Sequence, residues 1–143
     1  MVCCFRGEMM QTAEIKWIGK QQFVGMSPSG HAMVMDGDRA TNVGPSPMEM
    51  LLMALAACSA VDVVIILEKK RQKLESLEIS CSGERASETP KVWTKLELVY
   101  RLRGEITDEA AKQAITLSEE KYCSVAAMLR KTAELTWRYE IVA

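Results

Sequence analysis

A chain of 143 residues and 16.0 kDa is one ordinary domain, long enough to bury about two-thirds of its unfolded surface without disulfides or a metal. Hydrophobic residues at 48% and charged residues at 26% exclude disorder as the dominant state. Lys and Arg total 18 against 19 Asp and Glu, so the balanced surface offers no basic patch for nucleic acid or an anionic membrane.

Residues 1–9 have no periodicity and are read as a disordered N-terminal tail, with residues 10–143 as a single folded domain. The tail contains Arg6 and Glu8 and lacks the apolar core of a cleavable signal, so a reducing, cytoplasmic compartment is expected. From Thr12 the pattern alternates. Ile15 and Trp17, then Phe23 and Val24, predict two short strands around Gly19-Lys20. Ser27 to Gly30 reads as a turn, and His31 to Met35 as a third strand closed by Asp36-Gly37-Asp38. The three strands make an antiparallel meander, followed by a loop over 37–46.

Ser46-Pro47-Met48-Glu49 is a helix start, with a capping Ser, Pro at the first helical position and Glu three residues after the cap. The helix is expected to run to about Lys70. From Met50 to Leu67 only Ser59 and Asp62 are clearly polar, which calls for burial on all sides. Such a run barely reaches the membrane-spanning minimum of about 17 residues, and Asp62 inside it is costly. A central helix wrapped by sheet and by a second subunit is the better reading. Ala54, Ala56, Ala57, Ser59 and Ala60 would let another backbone come close around Cys58.

Leu77, Ile79 and Cys81 alternate with Glu78, Ser80 and Ser82. After a turn near Ser87–Pro90 a second long strand alternates as far as Arg103. Thr107-Asp108-Glu109 opens a helix expected to reach Glu120, and a helical segment over Cys123–Leu129 follows. Leu135 to Val142 closes the chain as a strand. The order β-β-β-α-β-β-α-α-β is an α+β architecture.

The five cysteines, at positions 3, 4, 58, 81 and 123, match neither a disulfide scaffold nor a CxxC zinc pattern. Cys3 and Cys4 fall in the tail. Cys58, mid-helix among small residues, is either a buried inert thiol or a reactive one. Cys123 opens a helical stretch, where the dipole and free N–H groups would lower its pKa. Asp62, one turn after Cys58, is read as part of a buried polar network or an interface. Cys81 is read as core, His31 as a surface or core residue rather than a ligand. Met48, Met50 and Met53 could line an apolar pocket.

Pro45-Ser46-Pro47-Met48-Glu49-Met50 leading to Ala57-Cys58-Ser59, with Glu120-Lys121-Tyr122-Cys123-Ser124-Val125 further on, resembles the OsmC/Ohr family, nearest its YhfA-like branch. The resemblance runs from Met10 onward. It implies an OsmC-like fold in an intertwined homodimer, with the long central helices sandwiched between sheets. It also implies thiol-dependent reduction of organic hydroperoxides in stress defence, at a site on the dimer interface. Cys58 would be the peroxidatic thiolate, Cys123 the resolving thiol, and an external dithiol the reductant. The family's activating Arg from the N-terminal segment has no counterpart in Thr12–Ser29, and Met48 stands where those enzymes carry Glu. Arg39 and Glu49 are the nearest substitutes. The reading calls for no cofactor, metal, nucleic acid or membrane. Its alternatives are a non-catalytic dimer binding a small apolar ligand in the interface cavity, and a structural stress-response dimer.

Overall fold

The computed structural model describes residues 10–142, so the expected tail with Cys3 and Cys4 lies outside the described residues. The chain divides into two compact units, the boundary along the sequence falling between Met50 and Leu51.

In the first unit, β1 (Glu14–Gly19), β2 (Gln22–Met26) and β3 (Ala32–Asp36) form an antiparallel sheet in that order. The β1–β2 turn uses Gly19 at φ 125° and Lys20 at φ 48°, a left-handed bend that glycine enters without strain. The sequence places the two strands on either side of this pair. β3 ends on Asp36, only 3% exposed, which organises the following loop. Its carboxylate accepts from Thr41 Oγ1 at 2.6 Å and from the backbone N–H groups of Asp38 at 2.9 Å and Val43 at 3.2 Å. These bonds, Thr41's first, hold Asp36 below the ordinary aspartate value. His31 is exposed, its Nδ1 3.0 Å from Ser29 Oγ.

Helix α1 (Pro47–Lys69) begins as the sequence demands. Ser46 N–H donates to Glu49 Oε2 at 2.7 Å, and Glu49 N–H donates back to Ser46 Oγ at 3.3 Å, the reciprocal capping box.

The second unit holds the rest of α1 and a sheet of β4 (Lys73–Arg85), β5 (Trp93–Glu105) and β6 (Glu134–Val142). β4 and β5 pair antiparallel, whereas β5 and β6 pair parallel. A parallel pair needs a crossover. Helix α2 (Asp108–Leu117), a π-helical turn (Ser118–Tyr122) and helix α3 (Ser124–Leu129) supply it. The expected alternation sorts the sheet's two faces. Leu77, Ile79 and Cys81 of β4 stand in register with Leu102, Tyr100 and Leu98 of β5, on the face with Leu96 and Leu135. The β5 residues of this row are at most 1% exposed, and each large apolar side chain so buried contributes about 1.5–3 kcal/mol. The opposite face is polar and carries the Arg101–Glu140, Lys95–Glu84 and Arg138–Glu97 ion pairs.

Two expectations change. The second helix stops at Leu117 rather than Glu120, because Ser118–Tyr122 widens into a π turn. Helix α1 is not buried all round within the chain. Its buried residues are Leu55, Ser59, Val63 and Leu67, a single stripe at every fourth position, while Met53 and Val61 stay 52% and 58% exposed.

Candidate active site

Two helices deliver the two thiols. Cys58 sits mid-way along α1, half-buried, next in sequence to Ser59 of the buried stripe. Cys123 is buried at the junction of the π turn and α3. The π turn closes with Cys123 N–H donating to Ser118 O at 2.8 Å. Cys123 then caps α3, its Sγ accepting from Ala126 N–H at 3.4 Å. Both are free thiols, and Cys58 is close enough to Cys123 to raise its pKa.

The expected lowering of the Cys123 pKa is corrected. Burial pushes the thiol up to about 12, the Ala126 N–H works against this, and the Cys58 sulfur and the Glu119 charge add to the rise. The helix terminus acts in the expected direction, but desolvation outweighs it. A six-residue helix presents few aligned dipoles. Cys123 is therefore protonated at neutral pH.

Ser59, next to Cys58 in sequence, belongs to a polar network. Ser59 Oγ is 2.6 Å from Tyr100 Oη and 2.9 Å from Ser118 Oγ. Ser118 Oγ lies 3.0 Å from Asp62 Oδ2, and Tyr100 Oη lies 2.7 Å from Glu119 Oε1. Arg130 Nη2 donates to the other Glu119 oxygen at 3.2 Å. The Glu119 side chain is wholly buried, Arg130's is 37% exposed, and Ser59, Tyr100 and Ser118 are fully buried. Desolvation raises Asp62 above the ordinary value, and the Ser118 bond opposes it. Asp62 thus joins a buried network, as expected one turn from Cys58. Of its other members, Ser59 left a sequence signal, as one of two polar residues in an apolar run. Tyr100, Ser118, Glu119 and Arg130 were missed, because only the π turn and the sheet register aim them inward.

Cys81 is half-buried rather than core. Burial pushes its thiol up to about 11, and the Glu119 charge adds to the rise. It ends an apolar groove of about 380 Å³ between α1 and β4, lined by Leu52, Met53, Ala56, Leu77 and Ile79 among others. Met53 is the one expected pocket methionine found there. Glu49 and Arg39 belong to the first unit. Glu49 is held below the ordinary glutamate value, first by the Ser46 N–H, then by the Ser46 hydroxyl and the attraction of Arg39. Among the described residues no three His, Cys, Asp or Glu side chains converge as a metal site.

Residues 37–138 match a family model described as OsmC-like protein. Protein YhfA of Escherichia coli strain K12 is 46% identical over 132 residues, covering 92% of this chain and 98% of that protein. The crystal structure of a hypothetical protein from Aquifex aeolicus VF5 is 30% identical, covers 95% of this chain and 100% of its own, and superposes with a TM-score of 0.81. The crystal structure of the organic hydroperoxide resistance protein OhrB of Bacillus subtilis, 13% identical over 92% of this chain and 98% of its own, has a TM-score of 0.68 and shares the fold. With most of its length inside the family match and a relative 46% identical over 92% of it, this chain belongs to the OsmC-like family.

Proposed function

We propose that this protein reduces organic hydroperoxides through Cys58 and Cys123. The observation that supports it best is a half-buried thiol on α1 near enough to the buried, protonated thiol capping α3 to raise its pKa. The Cys58 thiolate attacks the distal peroxide oxygen, the O–O bond breaks, and alcohol leaves once its alkoxide takes a proton. Cys58 becomes a sulfenic acid. The Cys123 sulfur then attacks the Cys58 sulfur. Its proton goes to the departing hydroxide, water leaves, and a disulfide joins the two. An external dithiol restores both thiols and is itself oxidised to a disulfide. A family member carrying organic hydroperoxide resistance in its name agrees with this chemistry. Arg39 and Glu49 are the proposed activators of the thiolate.

The working form is a homodimer in the cytoplasm. The exposed Leu51, Met53 and Val61 of an otherwise apolar helix favour a second copy over solvent. The apolar groove supports a second reading, a protein that binds an apolar ligand without turnover. The test is one equivalent of an organic hydroperoxide for seconds, an alkylating quench and disulfide mapping by mass spectrometry. A rapid, near-stoichiometric Cys58–Cys123 bond is expected. Free thiols at both positions after minutes in excess peroxide would leave ligand binding as the function.

A further inference from the structure

Four oxygen–oxygen contacts join Asp62, Ser118, Ser59, Tyr100 and Glu119 in one unbranched line, at 3.0, 2.9, 2.6 and 2.7 Å. Each contact needs one hydrogen, and the three hydroxyls supply three. A fourth proton, on one of the end carboxyls, completes the line. With it on Asp62, every group donates toward Glu119. With it on Glu119, every group donates toward Asp62. The two arrangements interconvert by moving each hydrogen across its own contact, so the line can pass a proton from end to end. Arg130 at 3.2 Å anchors the negative charge at Glu119, which leaves the resting proton on Asp62. The three hydroxyls between are closed to solvent, while Asp62 is only partly buried.

The Glu119 end lies on Cys123's own segment. Ser118 and Glu119 open the π turn whose closing bond is made by the Cys123 N–H, and the Glu119 charge acts on the Cys123 sulfur. A thiolate at Cys123 and a carboxylate at Glu119 would be two like charges in the protein interior, each disfavouring the other. We propose that this line is a proton relay serving Cys123: when Cys123 gives up its proton, one proton shifts along the line from Asp62 to Glu119, and it returns when Cys123 is reprotonated. The Cys123 proton leaves with the departing group, only O–H and S–H bonds change within the line, and no oxidant or reductant beyond those of the thiol cycle takes part. The charged and titratable groups facing it are Cys58 and Asp62 of α1, Cys81 of β4, Tyr100 of β5, Cys123, and Arg130 after α3.

This inference rests on Cys58 and Cys123 being a redox pair, and two measurements keep the two ideas apart. The first is infrared spectroscopy of the full chain at pH 7, which reads the shared proton whether or not the thiols react. The wild type should show a protonated-carboxyl band that is absent in Asp62→Asn, whose amide N–H can still donate to Ser118 and so preserves the fold. The second is formation of the Cys58–Cys123 disulfide under diamide, followed against pH in the wild type, D62N and Ser59→Ala. Both variants should slow it at least tenfold at pH 7, with circular dichroism unchanged. Absence of the wild-type band, its survival in D62N, or variant rates within twofold of wild type would overturn the relay. A wild type that forms no Cys58–Cys123 bond under diamide would instead overturn the redox pair, and with it the relay's purpose.

Discussion

Removing the Tyr100 hydroxyl should cost more stability than removing the Ser59 hydroxyl, although both are fully buried and touch each other. The Tyr100 hydroxyl donates to Glu119 at 2.7 Å, and the Glu119 side chain has no access to water. A hydrogen bond to a buried charge contributes about 1.5–3 kcal/mol, and Phe leaves the ring packing intact, so Tyr100→Phe should cost about 2–3 kcal/mol. Ser59 bonds only neutral hydroxyls. After Ser59→Ala, Tyr100 still has Glu119 and Ser118 still has Asp62. The loss of about 1–2 kcal/mol is partly offset by about 0.5 kcal/mol of helix propensity, leaving about 1 kcal/mol. With a urea m-value of about 2 kcal/mol/M, the midpoint should fall by about 1 M for Y100F and about 0.5 M for S59A. The comparison needs one fixed protein concentration, because dimerisation would feed into the midpoint. An S59A loss equal to or larger than that of Y100F would refute the view that the Tyr100–Glu119 bond anchors the network.

Cys123, pushed up to about 12 against an ordinary thiol value of 9.0, should resist alkylation at pH 8 by about three orders of magnitude relative to an unperturbed cysteine, read peptide by peptide in mass spectrometry. Because its folded value is raised, the associated stability is present below pH 9.0 and is lost as pH rises toward about 12, a loss that Cys123→Ser should abolish in alkaline unfolding curves. Asp36 has the opposite sign. Its lowered folded value stabilises the first unit above the ordinary 3.8, and this is lost as pH falls through the folded value. Asp36→Asn should accordingly speed hydrogen exchange across residues 37–46 at neutral pH. Val61→Glu places a charge on the 58% exposed position of α1 and should convert a dimer to a folded monomer in light scattering, whereas an unchanged mass would refute α1 as the interface.

The elements could be read because their causes are local. The capping residues Ser46 and Glu49 make the bonds their spacing requires, and the alternation Leu77, Ile79, Cys81 marks the inner face of β4. The Gly19-Lys20 pair turns the first hairpin. The thiol pair was reached through a family likeness, and in the structure Cys58 is near enough to raise the Cys123 pKa. What local pattern could not give is the surroundings of Cys123. The helix terminus argues for a lowered pKa, and it does act that way, but burial depends on what the crossover packs against. Glu119 was equally hidden. In a run of Glu119-Glu120-Lys121 it reads as solvent-facing, and only the π turn brings it inside while Glu120 stays exposed. The apolar character of α1 overstated its burial, since the sequence does not distinguish faces covered within one chain from faces left for another.

Asp62 joins these threads in a form that can be measured. A carboxyl in the middle of an apolar helix is a poor choice for stability, and desolvation raises it above the ordinary 3.8. The folded state then binds more proton than the unfolded state, so stability falls as pH rises above 3.8, over the range where the unfolded state gives up its proton and the folded state keeps it. Asn at this position removes the ionisable group yet keeps a donor for Ser118. D62N should therefore have a higher urea midpoint than the wild type at pH 7, a difference that closes as pH is lowered toward 3.8. A variant that is more stable but slower in thiol chemistry would separate what Asp62 does for the fold from what it does for Cys123. A lower midpoint at pH 7 would mean that the charged carboxylate itself holds α1 to the π turn, and the assignment of the resting proton to Asp62 would fall with it.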